Sequence, residues 1–596
     1  MDIAGWMATF SGWVWSTPTA LLLTGAGLLF SIMTFGIQWK AVTHGFAVIR
    51  GKYDNPEDEG NISHFKALCA ALSATIGLGN IAGVAVAVAT GGPGAVFWMW
   101  VVGFLGMATK FSTCSLATMY RRKDKFGEYR GGPMYYIEMG LGELYTAPAM
   151  KKFAKILAVT FAILGMSASV GAGNMFQANQ VGKTFVNLAK NVSDTGITKG
   201  AQFGIQMTVG AVLCIAAGFV MIGGIKRIGN VASKLVPSMC VIYVLGALYI
   251  IIKNIDLLPQ VFGSIFHEAF SPAAGLGAFY GVAVRTAMSL GVKRACFSNE
   301  AGLGSAPIAH ATAKTSEPIR EGVVAAVGPF IDTIVICTIT ALVVLITGTL
   351  TRGPVATIAE IAEERSFQEK GKDKLALDLR LTLVEGDDTA TRVGETLFVH
   401  KAPEKEGEPA RRIEMSTRTA EDNVVIASVI YKDNEKGRAA RAADRKLLSE
   451  GREVFLFKDG VELTALAFDR GLPGFGTYLI PIAALLFAFS TIISWGFYGE
   501  TCAEYLFGER AVMPFKFVYV AMILVGTWSM ELKPILDWSD AMLGLMLVPN
   551  LIGTLLLSPI IIREGKKYFR RLKAGDFEEE ARRATEARRR IKEGRT

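Results

Sequence analysis

Apolar runs of membrane-spanning length recur along this 596-residue chain, separated by short polar loops and by one long charged block. A helix needs about 20 residues to cross the hydrocarbon core. The pattern predicts eleven spans, at about 18–39, 65–90, 94–120, 153–182, 203–225, 229–253, 276–312, 322–350, 475–507, 512–532 and 538–562. The stretch before them, 1–17, reads as an interfacial aromatic segment. It carries several tryptophans and lacks the basic start of a cleavable signal.

The charged block at 351–474 is too long for a loop. Within it LALDLRLTL sets Leu375, Leu377, Leu379, Leu381 and Leu383 at alternate positions, the period of a strand with one buried face. ETLFVHK, NVVIASVIY and VFLFKDGVEL read as further strands, the last turning at Asp459 and Gly460. A helical stretch is expected near Lys436–Leu448. The expected fold class is an all-α polytopic membrane protein with a small, mainly β extramembrane insertion.

Composition agrees. The chain is 51% hydrophobic and 19% charged with a mean hydropathy of +0.36, values that exclude an ordinary soluble enzyme. Its net charge of +9 sits in short loops and in the tail from Arg563 to Thr596, which is membrane topology and not a nucleic-acid surface. Lys40, Arg50 and Lys52, then Arg121 to Arg130, then Lys226 and Arg227, then Lys314 and Arg320 fall in alternate loops. Those loops and the tail are expected in the cytoplasm, with the N-terminus outside. The seven cysteines all lie in or beside apolar spans with no CxxC pair, as buried small hydrophobes do.

Two spans are interrupted where a lipid-facing helix would want Leu and Val. In the second, Thr75, Gly77, Gly79, Asn80 and Gly83 break the apolar run. In the seventh, Gly291, Ser298, Asn299, Glu300, Gly302, Gly304 and Pro307 do the same. A broken helix offers free N–H groups to an anion and freed carbonyls to a cation, which an unbroken helix cannot. The interruptions occupy matching places if spans two to six and seven to eleven are two repeats of five, with the first span outside them. Paired breaks in two halves point to a transporter's binding site.

Other polar groups within spans are costly and therefore informative. Asp332 and Glu300 are candidates for coupling or gating, with Asn299 beside Glu300 and Lys110 as a basic partner. Ser490 and Thr491 place two hydroxyls together on the ninth span, a hard oxygen pair suited to a small cation. Gly91, Gly92, Gly103 and Gly106 read as helix packing, and Trp98 and Trp100 as an interfacial anchor. No nucleophile and base pair or metal-ligand spacing appears in the spans, so an enzyme is not expected.

SATIGLGNIAGVA, GGPGAVFWMW, GNMFQAN, FSNEAGLGSAP and GPFIDT together resemble the alanine or glycine:cation symporter family, the sodium:alanine symporters. The resemblance covers most of the membrane part. It implies a fold similar to the bacterial leucine transporter, an inverted repeat of five plus five helices. It also implies that the amides around Leu78 and Gly79 hold a substrate carboxylate beside Thr75, Gly77 and Asn80. By the same resemblance Gln177 is a polar contact to the amino acid, and Met288 and Trp495 shape a small pocket. Sodium would be held by carbonyls of Ser73, Ile76 and Phe487 with the hydroxyls of Ser490 and Thr491. Two departures stand out: Thr113 lies near the place where the family usually carries a Glu, and the insertion at 351–474 is outside the usual pattern.

The function expected is import of a small neutral amino acid, alanine or glycine, coupled to sodium, without an organic cofactor. A proton is the alternative coupling ion. A ligand sensor with the β insertion as reporter is the alternative class. The expected partners are the amino acid, sodium and the lipid bilayer.

Overall fold

In the computed structural model nine helices of the described residues are long and apolar enough to cross a membrane, and a tenth span is two shorter helices bent by 52° at a break. The structure describes residues 3–55, 57–193, 197–270, 284–349, 356–369, 372–383, 396–401, 411–421, 424–433, 453–456, 460–528 and 533–580, with isolated positions at 434–452 and at 582. In chain order, α1 (Ile3–Val14) and α2 (Thr17–Met33) lead through short helical turns into the bent span, α3 (His64–Thr75) and α4 (Val84–Gly91). There follow α5 (Gly94–Met119), α6 (Pro133–Leu144), α7 (Pro148–Val170), α8 (Phe176–Val192), α9 (Lys199–Ile222), α10 (Gly224–Lys253) and α11 (Leu258–Phe270). The second half holds α12 (Val284–Asn299), α13 (Ala306–His310), α14 (Pro318–Pro329), α15 (Thr338–Ile346), α16 (Gly460–Gly471), α17 (Gly476–Phe507), α18 (Val512–Trp528), α19 (Lys533–Leu556) and α20 (Ser558–Ala574).

One predicted span and the predicted interfacial segment take another form. The seventh, 276–312, begins outside the described residues, and its described part is 16 residues of α12, a break and the short α13. The expected interfacial segment is α1, and it runs with α2 as one apolar stretch, Gly5–Met33. It also packs along α19, where the Trp15 indole donates to the Asp540 carbonyl at 2.8 Å. Trp6 and Trp13 still face outward, as an aromatic belt does.

The basic loops gather at one end of the bundle. Arg121 donates to the carbonyls of Glu59, Ala311, Ala313 and Thr315. Asn61 N–H reaches the Thr312 carbonyl at 2.8 Å, and Lys314 N–H the Ile62 carbonyl at 2.7 Å. Arg130 lies 2.9 Å from Glu500 and 3.0 Å from Glu504. Burial works against the Arg130 charge, but Glu500, Glu504 and Glu128 more than offset it and hold the guanidinium protonated beyond its ordinary range. Buried backbone that would otherwise lack partners is satisfied in this way.

Close helix contact rests on small residues. A Cβ built on Gly103 would stand 3.0 Å from the Thr333 methyl, and one on Gly106 2.8 Å from Ala301. Trp98 and Trp100 are tied rather than free, their indoles donating to the Ala269 carbonyl and the Thr338 hydroxyl. Ile32, Ile215, Phe219, Ile252 and Phe517 are among the large apolar side chains left exposed on the outer surface of the bundle, as lipid contact requires.

The insertion is a closed antiparallel barrel. Its strands are β1 (Ala356–Glu369), β2 (Lys372–Leu383), β3 (Thr396–Lys401), β4 (Arg411–Glu421), β5 (Val424–Lys432) and β6 (Glu453–Leu456), in the order β1-β2-β5-β4-β3-β6. Leu375, Leu377, Leu379 and Leu381 of β2 are all buried, and β2 pairs with β1 and β5. The run VFLFKDGVEL is not one strand-turn unit. Its strand ends at Leu456, and Gly460 begins α16, whose Thr464 hydroxyl donates to the Ile81 carbonyl in the first break at 3.0 Å. The helix expected near Lys436–Leu448 lies largely outside the described residues.

Candidate functional site

The first break is built as its residues require. Ser63 caps α3, its hydroxyl accepting from Lys66 N–H, and the helix stops at Ile76, which turns extended with φ −76 and ψ 91. A π-helical turn, Gly79–Gly83, restarts it. Further π-helical turns, Gly171–Met175 and Phe330–Cys337, join α7 to α8 and α14 to α15. Such turns widen the backbone ring and are frequent at functional sites. Gly77 permits close approach of α17: a Cβ there would lie 2.7 Å from the Thr491 hydroxyl, which would have to give way.

Four of the five expected cation ligands meet. The Ser490 and Thr491 hydroxyls both reach the Ser73 carbonyl at 3.2 Å and the Phe487 carbonyl at 2.8 and 3.0 Å. Ser73 returns its own hydroxyl to the Ser490 carbonyl at 2.6 Å. Ile76 is buried in the extended link next to Gly77, one residue from the Thr491 contact. Ser494 joins the cluster through the Ser73 hydroxyl at 2.9 Å. Its place one turn after Ser490 is a helical repeat that sequence spacing could have revealed.

The second cluster centres on Asn80. Its Oδ1 accepts from Gly77 N–H at 3.0 Å. Its Nδ2 reaches the Ser298 hydroxyl at 3.0 Å and Asp332 Oδ1 at 2.5 Å. Asp332 Oδ2 accepts from Ser298 at 2.5 Å and from Thr333 at 2.9 Å, and Asn299 donates to the Thr333 hydroxyl at 3.0 Å. The two breaks are thus one polar core, fully buried and shared by α4, α12 and α15 through the turns beside them. Ser298, one of the residues that interrupt the seventh span, belongs to it, and so does Cys337, which the sequence offered only as a buried small hydrophobe.

Glu300 holds the second break in a left-handed backbone, φ 54, followed by Gly302 at φ 92 and Gly304 at φ 91. A non-glycine residue there is strained and persists only when its surroundings fix it. Here the carboxylate accepts from the Ser305 hydroxyl, the Trp495 indole lies close by, and buried Lys110 lies within electrostatic reach of Glu300 and Asp332. Lys110 is therefore part of the core and not a snorkelling side chain. Thr113 turns back to the Thr109 carbonyl on its own helix at 3.0 Å.

Of the remaining expected contacts, Trp495 packs face to face with Gly173, where an added Cβ would stand 2.3 Å from the Trp495 Cβ. Gln177 donates to the Ala172 carbonyl at 3.2 Å and leaves its Oε1 buried without a partner. Asn174 donates to the Tyr519 carbonyl, and its Oδ1 is likewise without one. Thr75 bonds back to Leu72 in its own helix. Met288 is not brought to the break. A Cβ on Gly79 would meet Phe297 and one on Gly83 would meet Arg294, so α4 and α12 pass antiparallel and Met288 falls toward the far end of α4.

Comparison with known proteins gives this constellation a setting. The model of the sodium:alanine symporter family matches residues 1–379 and 447–582, which leaves out only 380–446 within the insertion. The departure from the family pattern is thus narrower than 351–474. The sodium/alanine symporter AgcS of Methanococcus maripaludis is 35% identical over 571 residues, 95% of this chain and 98% of its own length. The amino-acid carrier protein AlsT of Bacillus subtilis is 30% identical over 558 residues, 93% of this chain and 90% of its own. A further Bacillus subtilis relative, 28% identical over 564 residues, 94% of this chain and 90% of its own, bears a name that points to sodium/glutamine symport.

Proposed function

Because the chain belongs to the sodium:alanine symporter family, we propose that this amino-acid:cation symporter imports alanine or glycine with sodium. It is a multi-pass membrane protein. We place it in the cell membrane with the basic loop end and α20 in the cytoplasm and the N-terminus outside, as the positive-inside rule directs.

The observation that carries this reading is the contact of the first break with α17, where two hydroxyls and two carbonyls from Ser73, Phe487, Ser490 and Thr491 lie within hydrogen-bond distance of one another. Sodium as cargo is taken up by these oxygens with the Ile76 carbonyl. The ion fixes the link at Ile76 and Gly77, and that presents the amides around Leu78 and Gly79 to the substrate carboxylate. The partnerless Oε1 of Gln177 is an acceptor for the substrate ammonium, and Trp495 limits the size of the side chain. Asn80 and Asp332 couple the two breaks, so occupancy of one biases the other.

The relatives named above are symporters and carriers, and nothing in the fold favours the sensor reading. Labelled alanine uptake into proteoliposomes tests the proposal. Accumulation that follows an inward sodium gradient is expected. Uptake indifferent to that gradient removes sodium coupling, and no uptake of alanine, glycine or serine removes the substrate assignment.

A further inference from the structure

At the basic end of the bundle the chain leaves α2 through a strained corner. Phe35 takes a left-handed backbone, φ 55, and Gly36 follows at φ 67. A non-glycine residue persists in that region only where its surroundings fix it, and such residues gather at functional sites. The corner turns the Phe35 ring out of the bundle, where it is 65% exposed, and a short helical turn, Ile37–Lys40, then presents Trp39 at 74% exposed. The turn is tied down from inside, the Gln38 amide donating to the Ser31 hydroxyl at 2.6 Å and to the Phe104 carbonyl at 3.2 Å. Two rings are thus held outward on a fixed frame, beside Ile32 of α2 and Phe104 of α5, which are exposed as well.

α20 crosses this corner. Lys566 Nζ lies 5.4 Å from the centre of the Phe35 ring and Lys40 Nζ 4.3 Å from that of Phe569, so each side gives one cation and one ring. Lys566, Arg570 and Lys573 follow at i, i+4 and i+7 on one face of the helix, and all three are exposed. The opposite face, with Ile561, Gly565 and Tyr568, is buried in the bundle. The carboxylates nearby are engaged elsewhere: Glu564 with Arg563, Asp576 and Glu580 with Arg571, and Glu578 with Lys52. Among the described residues no carboxylate pairs with Lys40, Lys566, Arg570 or Lys573. An ammonium carries three donors, and a ring face takes up one side of it.

We propose that this corner is a binding site for an anionic phospholipid, with the phosphate set among Lys40, Lys566 and Arg570 and the acyl chains laid along Phe35, Trp39 and Ile32. Exposed rings beside unpaired cations fit a ligand that joins a negative headgroup to hydrocarbon, a pairing that free phosphate and nucleic acid lack. The position agrees. Ile32 is exposed near the end of the membrane-length stretch Gly5–Met33, and the corner follows it directly, at the level where tryptophan and lysine anchor to headgroups. The bound lipid staples α20 to the end of α2. The site rests on the membrane-spanning reading of α2 and on nothing in the substrate or sodium assignment; only its place in the cytoplasmic leaflet follows from the orientation proposed above.

Native mass spectrometry of the full-length protein in neutral detergent, titrated with phosphatidylglycerol or phosphatidylcholine, reads the site without any transport assay. Phosphatidylglycerol is expected to be retained at least about tenfold more tightly than phosphatidylcholine, since each cation beside an anionic headgroup strengthens attachment about fivefold. K40Q/K566Q/R570Q, altered where the chain is exposed or half-buried, is expected to lose that preference. F35G removes the ring and relieves the left-handed strain, so it is expected to weaken phosphatidylglycerol binding while its thermal midpoint in lipid-free detergent stays level or rises. Equal retention of the two lipids, an unchanged preference in the triple variant, or displacement of the lipid by millimolar inorganic phosphate would each overturn the proposal. A lower F35G midpoint with lipid binding intact would overturn the part given to Phe35. If the lipid preference is absent while sodium-driven uptake persists, the symport reading stands alone.

Discussion

Asn80 and Asp332 are separated by 252 residues in the chain, yet the amide of one lies 2.5 Å from the carboxylate of the other. This contact joins the first break to the π-helical turn between α14 and α15, and Ser298 brings in the second break on the same carboxylate. Replacing Asn80 leaves both Gly77 N–H and Asp332 short of a partner, at about 1–3 kcal/mol for each unsatisfied buried group. Asn80→Ala is expected to lower alanine uptake at least about tenfold and to lower the thermal midpoint in detergent. Uptake within twofold of wild type would detach Asn80 from the site.

Thr491 meets both the Ser73 and Phe487 carbonyls and stands against Gly77. Thr491→Ala removes one of the proposed sodium oxygens and leaves the carboxylate site intact. The sodium concentration for half-maximal uptake is expected to rise about tenfold, which corresponds to about 1.4 kcal/mol. Thr491→Ser retains the hydroxyl and is expected to stay near wild type. An unaltered sodium requirement in the alanine variant would move the cation elsewhere.

Gly173 and Gly25 make a contrast in one substitution. A Cβ on Gly173 would collide with Trp495 at 2.3 Å, whereas one on Gly25 meets nothing within 4 Å. Gly173→Ala is expected to cost about 1–3 kcal/mol as overpacking and to disturb uptake through Trp495. Gly25→Ala, inside α2, is expected to be neutral or to stabilise by up to about 1 kcal/mol. Thermal unfolding of the two variants side by side checks the ordering.

His44 supplies an acid response. It lies 2.7 Å from the Tyr568 hydroxyl of α20, and burial, aided by Arg320, pulls its imidazole down to about 4. The unfolded ring titrates near 6.5, so its contribution is complete above that pH and is lost as pH falls toward 4. The thermal midpoint is expected to decline over this window, and His44→Gln is expected to flatten the decline. A midpoint that falls equally in both proteins would place the acid sensitivity elsewhere.

Arg130 is expected to be the most damaging charge to remove. Arg130→Gln leaves Glu500 with Lys516 as its remaining cation among the described residues and leaves Glu504 buried beside an uncharged amide. Breaking such a buried pair costs about 3–5 kcal/mol. Yield and thermal midpoint of the purified variant measure the loss.

Much of the site was legible because membrane burial makes polar residues conspicuous. Asn80, Ser490, Thr491 and Asp332 stand out against apolar neighbours, and the family resemblance set Ser73 beside Ser490 and Thr491, which the structure brings together; the contact of Asn80 with Asp332 was not anticipated. Ser494 and Asn174 were passed over because a single hydroxyl or amide on a helix most often bonds to its own backbone. The distance of Met288 from the break was not legible, because only the antiparallel passage of the first break and α12 shows which part of α12 lies beside it. The barrel strands were visible from their period of two. The helix at Gly460 was not, since Asp-Gly followed by apolar residues suits a hairpin equally well.

The first and last barrel strands are neighbours, with Ala356 opposite Val454. Adjacent strands run about 4.8 Å apart. The chain therefore enters and leaves the barrel at nearly one point, and to the helices on either side the insertion has the reach of a tight hairpin. It can be lengthened, shortened or exchanged for another closed module without pulling α15 and α16 apart. This makes the position a ready port for a fused reporter that leaves the moving parts of the bundle unloaded.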